Sequence, residues 1–150
     1  MKFFHDCIDF ERSIEINKQE LVLKEDYSIY NLYKAIAGPG KKYLLLRDLQ
    51  GILADNFGIR LNYPNMKVAI QRQFAIDNQA ELRAEQMRYM DFLELVKPRN
   101  PEFQSFVNRR MREIDVGYDY QPNLGLEPET GYKFASLIED IVRLENELEF

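Results

Sequence analysis

Two neighbouring stretches decide the predicted fold: YSIYNLYKAIAGPGKKYLLLRDLQGILADNFG (Tyr27–Gly58) and YPNMKVAIQRQFAIDNQAELRAEQMRYMDFLELVKP (Tyr63–Pro98). Each begins with apolar residues at helical spacing, passes through a Gly-rich or polar loop, and resumes as a second helix. An acidic residue, Asp48 in the first stretch and Asp91 in the second, stands directly before Leu or Phe at the start of that second helix. The pattern therefore predicts two consecutive helix–loop–helix units.

The loops of these two units lack the residues that bind calcium. A calcium loop needs oxygen ligands at positions 1, 3 and 5 and a carboxylate at position 12. When Asp48 and Asp91 are placed at position 12, the other ligand positions hold residues without carboxylates: Ala37, Pro39 and Lys41, and then Ala80, Leu82 and Ala84. The sequence thus predicts no metal and no cofactor. An atypical calcium site over Asp77–Glu85 is the alternative interpretation.

The helix–loop–helix pair over 27–98 resembles a degenerate EF-hand pair of the calmodulin-like superfamily. The ending MRYMDFLELVKPRNPEF (Met87–Phe103) resembles EF-hand proteins in which an L-x-Y-x-D-F helix start is followed by Pro and a further helix. The flank DFERSIEINKQELVLKEDYSIYNLYKAI (Asp9–Ile36) is similar to the helix before the EF-hands of multi-EF-hand proteins from ciliated and flagellated protists. This resemblance implies a cytoskeletal or ciliary assembly, such as an axoneme.

Two short segments and two helices give the pair its predicted detail. Tyr43–Leu45 is apolar and extended, and we expect it to pair with Gln86–Arg88 because such a pairing needs no metal. Helices are predicted over Leu46–Phe57, before a glycine, and over Tyr89–Val96, before a proline. The polar segment Asp77–Gln86 fits either an enlarged loop or an extra helical turn.

The segments on either side of the pair predict further helices. Residues 1–26 form an amphipathic helix with a heptad-like seam, which fits either a coiled coil or a helix packed on its own domain. Residues 99–150 predict a C-terminal extension that contains an irregular loop over 115–129. The predicted fold class is all-α: an EF-hand-like helix–loop–helix pair with a long N-terminal helix and two additional C-terminal helices. The seam consists of Phe3, Cys7, Phe10, Ile14 and Leu21.

Composition restricts the class of protein. The 150 residues are 45% hydrophobic and 30% charged, which is typical of one globular domain. The net charge of −5, with scattered cations, argues against a nucleic-acid partner. Cys7 is the only cysteine, so no internal disulfide can form and a cytoplasmic location is expected. No apolar run reaches the roughly 18 residues that a membrane span needs, so no membrane partner is expected.

Residues suited to catalysis are scarce. His5 and Cys7 are the only histidine and cysteine, and two residues apart on a helix they do not share a face. The loop AGPGKK (Ala37–Lys42) lacks the spacing and the hydroxyl residue of a Walker phosphate loop. We therefore expect no enzyme and no catalytic residues.

The resemblance implies an interaction role. In calcium sensors, metal binding opens an apolar groove that takes up an amphipathic helix. Because calcium cannot control a pair without ligands, we expect a calcium-independent scaffold subunit. Its groove binds an amphipathic helix of a protein partner or the chain's own terminal helices. The helix groove is predicted to consist of Ile29, Leu32, Leu49, Ile52, Met66, Ile70, Phe92 and Leu95.

Two alternatives to a scaffold subunit remain open. In the first, the end helices fill the groove and the heptad-like helices mediate self-association, which gives an oligomer or a larger complex. In the second, the chain is a calcium sensor that uses the atypical site over Asp77–Glu85.

Overall fold

The computed structural model describes residues 2–38, 40–74, 80–112, 124 and 126–148. Within these residues the chain forms eight α-helices, one short 3-10 helix and one two-stranded sheet. The fold class is therefore all-α. The elements in chain order are α1 (Lys2–Val22), α2 (Ile29–Ala37), β1 (Leu44–Leu45), α3 (Leu46–Phe57), α4 (Tyr63–Gln73), α5 (Ala80–Glu85), β2 (Gln86–Met87), α6 (Tyr89–Val96), the 3-10 helix (Pro101–Phe103), α7 (Gln104–Arg110) and α8 (Pro128–Leu148).

Local signals explain where several helices begin and end. The side chain of Ser28 accepts a hydrogen bond from the Asn31 amide at 3.1 Å, which caps the start of α2. The side chain of Asn62 caps α4 in the same way, because it accepts from the Asn65 amide at 3.1 Å. Gly58 ends α3 in the left-handed conformation, with φ 68°. The predicted bounds of α3 and α6 are confirmed residue for residue.

A small antiparallel sheet joins the two helix–loop–helix units. Leu44 lies opposite Met87, and Leu45 lies opposite Gln86. Leu44 and Met87 are fully buried, whereas Leu45 is 41% exposed on the other face of its strand. The predicted pairing of these two segments is confirmed, and its hydrophobic pair anchors both loops in the core.

The two longest helices pack against each other. The α8 helix lies against α1, α4 and α3. Ile14 and Leu21 on the seam of α1 are buried, as is Phe134 on α8. The side-chain amide of Asn17, which lies between Ile14 and Leu21 on the same face of α1, donates a hydrogen bond to the backbone carbonyl oxygen of Lys133 at 3.2 Å. Of the two interpretations of the seam, the structure shows the helix packed on its own domain.

Two further expectations concern connecting segments. Residues 80–85 form the helix α5, so this part of the polar segment is the extra helical turn and not an enlarged loop. Most of the irregular loop predicted over 115–129 lies outside the described residues, and its last two residues, 128 and 129, belong to α8. Within the described part of the chain, no helix combines the length and the apolar character needed to cross a bilayer.

Candidate functional site

The first loop, which connects α2 to β1, is shaped by its backbone. Gly38 has φ 91° and ψ 164°, a backbone conformation that residues other than glycine rarely adopt. The hydroxyl of Tyr33 on α2 lies 3.0 Å from the carbonyl oxygen of Lys42 and 3.3 Å from that of Met87. One tyrosine therefore connects the first loop to the opposite strand, and burial raises the pKa of this tyrosine.

The second loop is organised by an internal arginine. Asp91, placed at position 12 of the predicted loop, accepts hydrogen bonds from the Nε of Arg83 at 2.9 Å and from the amide of Arg88 at 3.1 Å. The guanidinium of Arg83 also lies over the ring of Phe74, 4.6 Å from its centre. A cation of the chain thus binds the carboxylate that would be a metal ligand in a calcium loop.

A lysine neutralises the remaining acids of α5. The Nζ of Lys67 on α4 lies 2.7 Å from a carboxylate oxygen of Glu81 and 2.6 Å from one of Glu85. The hydrogen bond with Lys67 lowers the pKa of Glu81, and the same bond raises the pKa of Lys67. Asp77, the other end of the atypical calcium site, lies outside the described residues. The described acids at this position are therefore held by a lysine.

The acid of the first loop has a different environment. Asp48 is exposed and stands in the first turn of α3. Across the described residues, no group of three or more His, Cys, Asp or Glu side chains is close enough to hold a metal ion.

The eight residues predicted to line the helix groove come from all four long helices of the pair. Ile29 and Leu32 lie on α2, and the others are shared among α3, α4 and α6. Ile52 is partly buried and packs against the core. The other seven are at most 1% exposed: Ile29, Leu32, Leu49, Met66, Ile70, Phe92 and Leu95.

Aromatic rings connect the groove to the last helix. The ring centre of Phe92 in the groove lies 6.2 Å from that of Phe134 on α8, which is fully buried. On the other side of Phe92, rings follow at 6.0 Å in Tyr33 and then at 5.5 Å in Tyr89. Burial raises the pKa of Tyr89 to about 12. The α8 helix thus covers the apolar side of the pair.

Polar contacts hold the first turns of α8 against the segment after α1. The two carboxylate oxygens of Asp26 accept from the Glu127 amide at 2.8 Å and from the Thr130 hydroxyl at 3.1 Å. Lys133 forms an ion pair with Glu20. These contacts fix the position along α1 at which α8 packs.

Sequence patterns alone did not identify the residues that hold the loops. Tyr33 lies at helical spacing among apolar residues of α2, and its hydroxyl contacts depend on the strand pairing. Arg83 and Asp91 lie eight positions apart with β2 between them. Lys67 and Glu81 lie on different helices, 14 positions apart. The one available signal was the alternation of Glu and Arg in Glu81–Glu85, which is typical of a helix with ion pairs.

No family model, curated protein or solved structure matches this chain. The interpretation of the site therefore comes from its own residues and contacts.

Proposed function

We propose that this protein is a calcium-independent, EF-hand-like interaction subunit whose helix groove is closed by its own last helix. The observation that carries the proposal is the packing of Phe134 of α8 against Phe92, with seven groove residues buried. An amphipathic helix of a partner protein binds by taking the place of α8. The groove then acts as a binding site whose occupant is set by competition between two helices and not by calcium.

The internal cations support the calcium-independent part of the proposal. In the second loop, Arg83 and Lys67 bind the carboxylates of Asp91, Glu81 and Glu85. A calcium ion would have to displace two cations that are covalently part of the chain. The first loop has one exposed acid, Asp48, which cannot supply the six to eight oxygen ligands that calcium takes.

The EF-hand-like part of the proposal combines the resemblance with the short sheet. In both units a residue of the sheet, Leu44 or Met87, precedes an acidic residue by four positions. The same resemblance supports a cytoskeletal or ciliary location. A pull-down with the full chain from cells that express it, followed by mass spectrometry, tests this part: cytoskeletal proteins are the expected partners.

A peptide that corresponds to α8 tests the closed groove. A labelled peptide of residues 128–148 is added to the full chain, and binding is followed by fluorescence anisotropy. Phe134→Ala weakens the docking of the chain's own α8, so the peptide should bind this variant at least about tenfold more tightly than the wild type. Arg143→Ala is the control, because Arg143 lies on the same helix and its side chain is exposed.

The affinity of the peptide shows whether α8 can be replaced by another helix or is a permanent part of the fold. Equal, weak binding to the wild type and to both variants would show that α8 is a fixed part of the core. Far-UV circular dichroism establishes that each variant is folded. Should Phe134→Ala unfold, Ile138→Val gives a milder weakening of the same interface, since Ile138 is 1% exposed.

Calorimetric titration with calcium tests the other half of the proposal. We expect no binding heat up to about 1 mM calcium, the weak end of known protein sites. A dissociation constant below that value would support the sensor hypothesis instead.

Self-association is the second candidate function. It is favoured by two exposed apolar side chains, Ile16 on α1 at 51% and Leu23 directly after α1 at 47% exposure. Size-exclusion chromatography with light scattering decides the matter: a dimer at micromolar concentration that Ile16→Ser dissociates would support it.

A further inference from the structure

A cavity lies beside α1, outside the helix groove. It is an open groove of about 800 Å³ between α1, the end of α4, residues 99–100 and α8. None of the eight helix-groove residues lines it. We call it the cationic pocket, because its charged lining contains four cations and two acids: Arg12, Lys18, Arg72 and Arg99, and Glu11 and Glu15.

Lys18 is the unusual residue of this pocket. It lies one helical turn after Ile14 on the buried face of α1 and is only 4% exposed. Among the described residues, no carboxylate lies within ion-pair distance of its ammonium group. Burial, together with the charge of Arg99, lowers the pKa of Lys18 to about 8, although Glu15 and Glu94 act in the opposite direction. Desolvation makes a positive charge at this position costly, and an anion that entered the pocket would lower that cost.

Glu15, an acid of the pocket that lies three residues before Lys18, accepts three hydrogen bonds. One carboxylate oxygen of Glu15 accepts from the amide of Arg99 at 2.7 Å. The other accepts from the side chain of Gln19 at 2.6 Å and from the amide of Asn100 at 3.5 Å. Glu15 thus anchors the segment after α6 to α1.

The rest of the lining combines the amide side chains of Gln19, Gln73 and Asn100 with apolar side chains. Ile14, Ile141 and Leu144 are all at most 7% exposed in the fold and form its floor. A volume of this size is in the range of small-molecule sites, which combine apolar walls with a few polar groups. The ligand that fits this combination has one anionic group and an apolar part.

We infer that the cationic pocket binds a small organic carboxylate with an apolar tail. The carboxylate pairs with Lys18 and Arg99, and the tail lies along the apolar floor. The ligand's carboxylate thus supplies the ion pair that Lys18 lacks within the described part of the fold. This site shares no residue with the helix groove, but Ile141 and Leu144 of α8 line it, so it exists only while α8 is docked on the pair.

Calorimetric titration of the full chain with decanoate at pH 7 tests the inference. Lys18→Met should weaken binding by about tenfold or more, because the ligand's charge loses its buried partner. This variant should fold, since replacing an unpaired buried charge by an apolar side chain of similar size is neutral or stabilising. Arg99→Gln should weaken binding by a smaller factor, because Arg99 is exposed. Lys24→Met, a lysine outside the pocket, is the control and should leave the affinity unchanged.

Two further probes separate charge from apolar adsorption. Decan-1-ol supplies the tail without the charge, and acetate supplies the charge without the tail, so each should bind at least about tenfold more weakly than decanoate. Bound decanoate should also raise the pKa of Lys18, measured by NMR of ¹³C-labelled lysine. Equal affinity for decanol, an unchanged affinity in Lys18→Met, or no binding of decanoate would each overturn the inference.

Discussion

The two loops of the helix pair meet in one small sheet, yet different forces hold them. In the first loop the backbone turns at Gly38, and the hydroxyl of Tyr33 connects the loop to the opposite strand. In the second loop α5 takes the place of a turn, and Arg83 and Lys67 bind its carboxylates. The comparison shows that the shared strand pairing does not require the two loops to close in the same way.

The difference follows from the charge that each loop contains. The first loop contributes one acid, Asp48, and that acid is exposed to water. The second contributes three acids: Glu81 and Glu85 share the ammonium group of Lys67, and Asp91 pairs with Arg83. Cations of the chain therefore pair with the acids of the second loop, whereas the acid of the first loop is solvated.

The largest expected effect tests what the two loops share. Leu44→Ala removes a fully buried side chain that lies opposite Met87, and it should lower the free energy of unfolding by about 2–5 kcal/mol in urea denaturation. Leu45→Ala is the matched control, because Leu45 is the next residue of the strand and is 41% exposed. If both variants lost the same stability, the strand pairing would not be the common anchor of the loops.

The second prediction compares the two loop acids directly. Asp91→Asn weakens the contacts with Arg83 and with the Arg88 amide, and should cost about 1.5–3 kcal/mol, since both groups of the ion pair are largely buried. Asp48→Asn should change stability by less than about 0.5 kcal/mol, because Asp48 is exposed. Thermal unfolding at two salt concentrations measures both changes.

Salt adds a second criterion to this pair of variants. The ion pair of Asp91 should weaken in 1 M salt, where the Debye length falls to about 3 Å, so the loss caused by Asp91→Asn should shrink. A loss for Asp48→Asn as large as that for Asp91→Asn would show that charge holds both loops, and the contrast between them would fail.

The third prediction concerns the backbone of the first loop. Any residue other than glycine is strained at position 38, where φ is 91° and ψ is 164°. Space is not the obstacle, because the nearest described atom to an added Cβ is Lys41 Cγ at 3.8 Å. Gly38→Ala should therefore cost about 1–3 kcal/mol. Gly51→Ala, inside α3 with no atom within 4 Å of the added Cβ, should instead stabilise by about 0.5–1 kcal/mol. A stabilising Gly38→Ala would remove the proposed basis of the first loop.

Local patterns were sufficient to predict several helices. Apolar residues at helical spacing and the glycine at position 58 predicted the bounds of Leu46–Phe57. The proline at position 98 predicted the end of Tyr89–Val96. The paired segments were also predictable, because each is a short apolar run between a loop and a helix. For residues 80–85, helix propensity allowed either an enlarged loop or an extra helical turn. The structure has the helix, whose Glu81 contacts Lys67, 14 positions away in the sequence.

The candidate sites were less predictable, because they depend on distant contacts. Arg83 pairs with Asp91 only after the chain reverses direction through β2. Lys18 did have a sequence signal that the prediction missed: it lies four residues after Ile14 and three before Leu21, on the same face of α1. That spacing places a lysine on the buried stripe, but it does not show which helices cover it.

The smallest expected effect is in the titration of the second loop. The hydrogen bond from Lys67 lowers the pKa of Glu81 below its ordinary value of 4.5. A carboxylate with a lowered pKa contributes stability above the ordinary pKa and loses it as the pH falls through the pKa of the folded state. Lys67→Met should therefore move the pKa of Glu81 upward in a ¹³C NMR titration, and Lys24→Met should not. If the pKa of Glu81 stayed low without Lys67, another group would have to supply the positive charge, and the second loop would not depend on the cation that distinguishes it from the first.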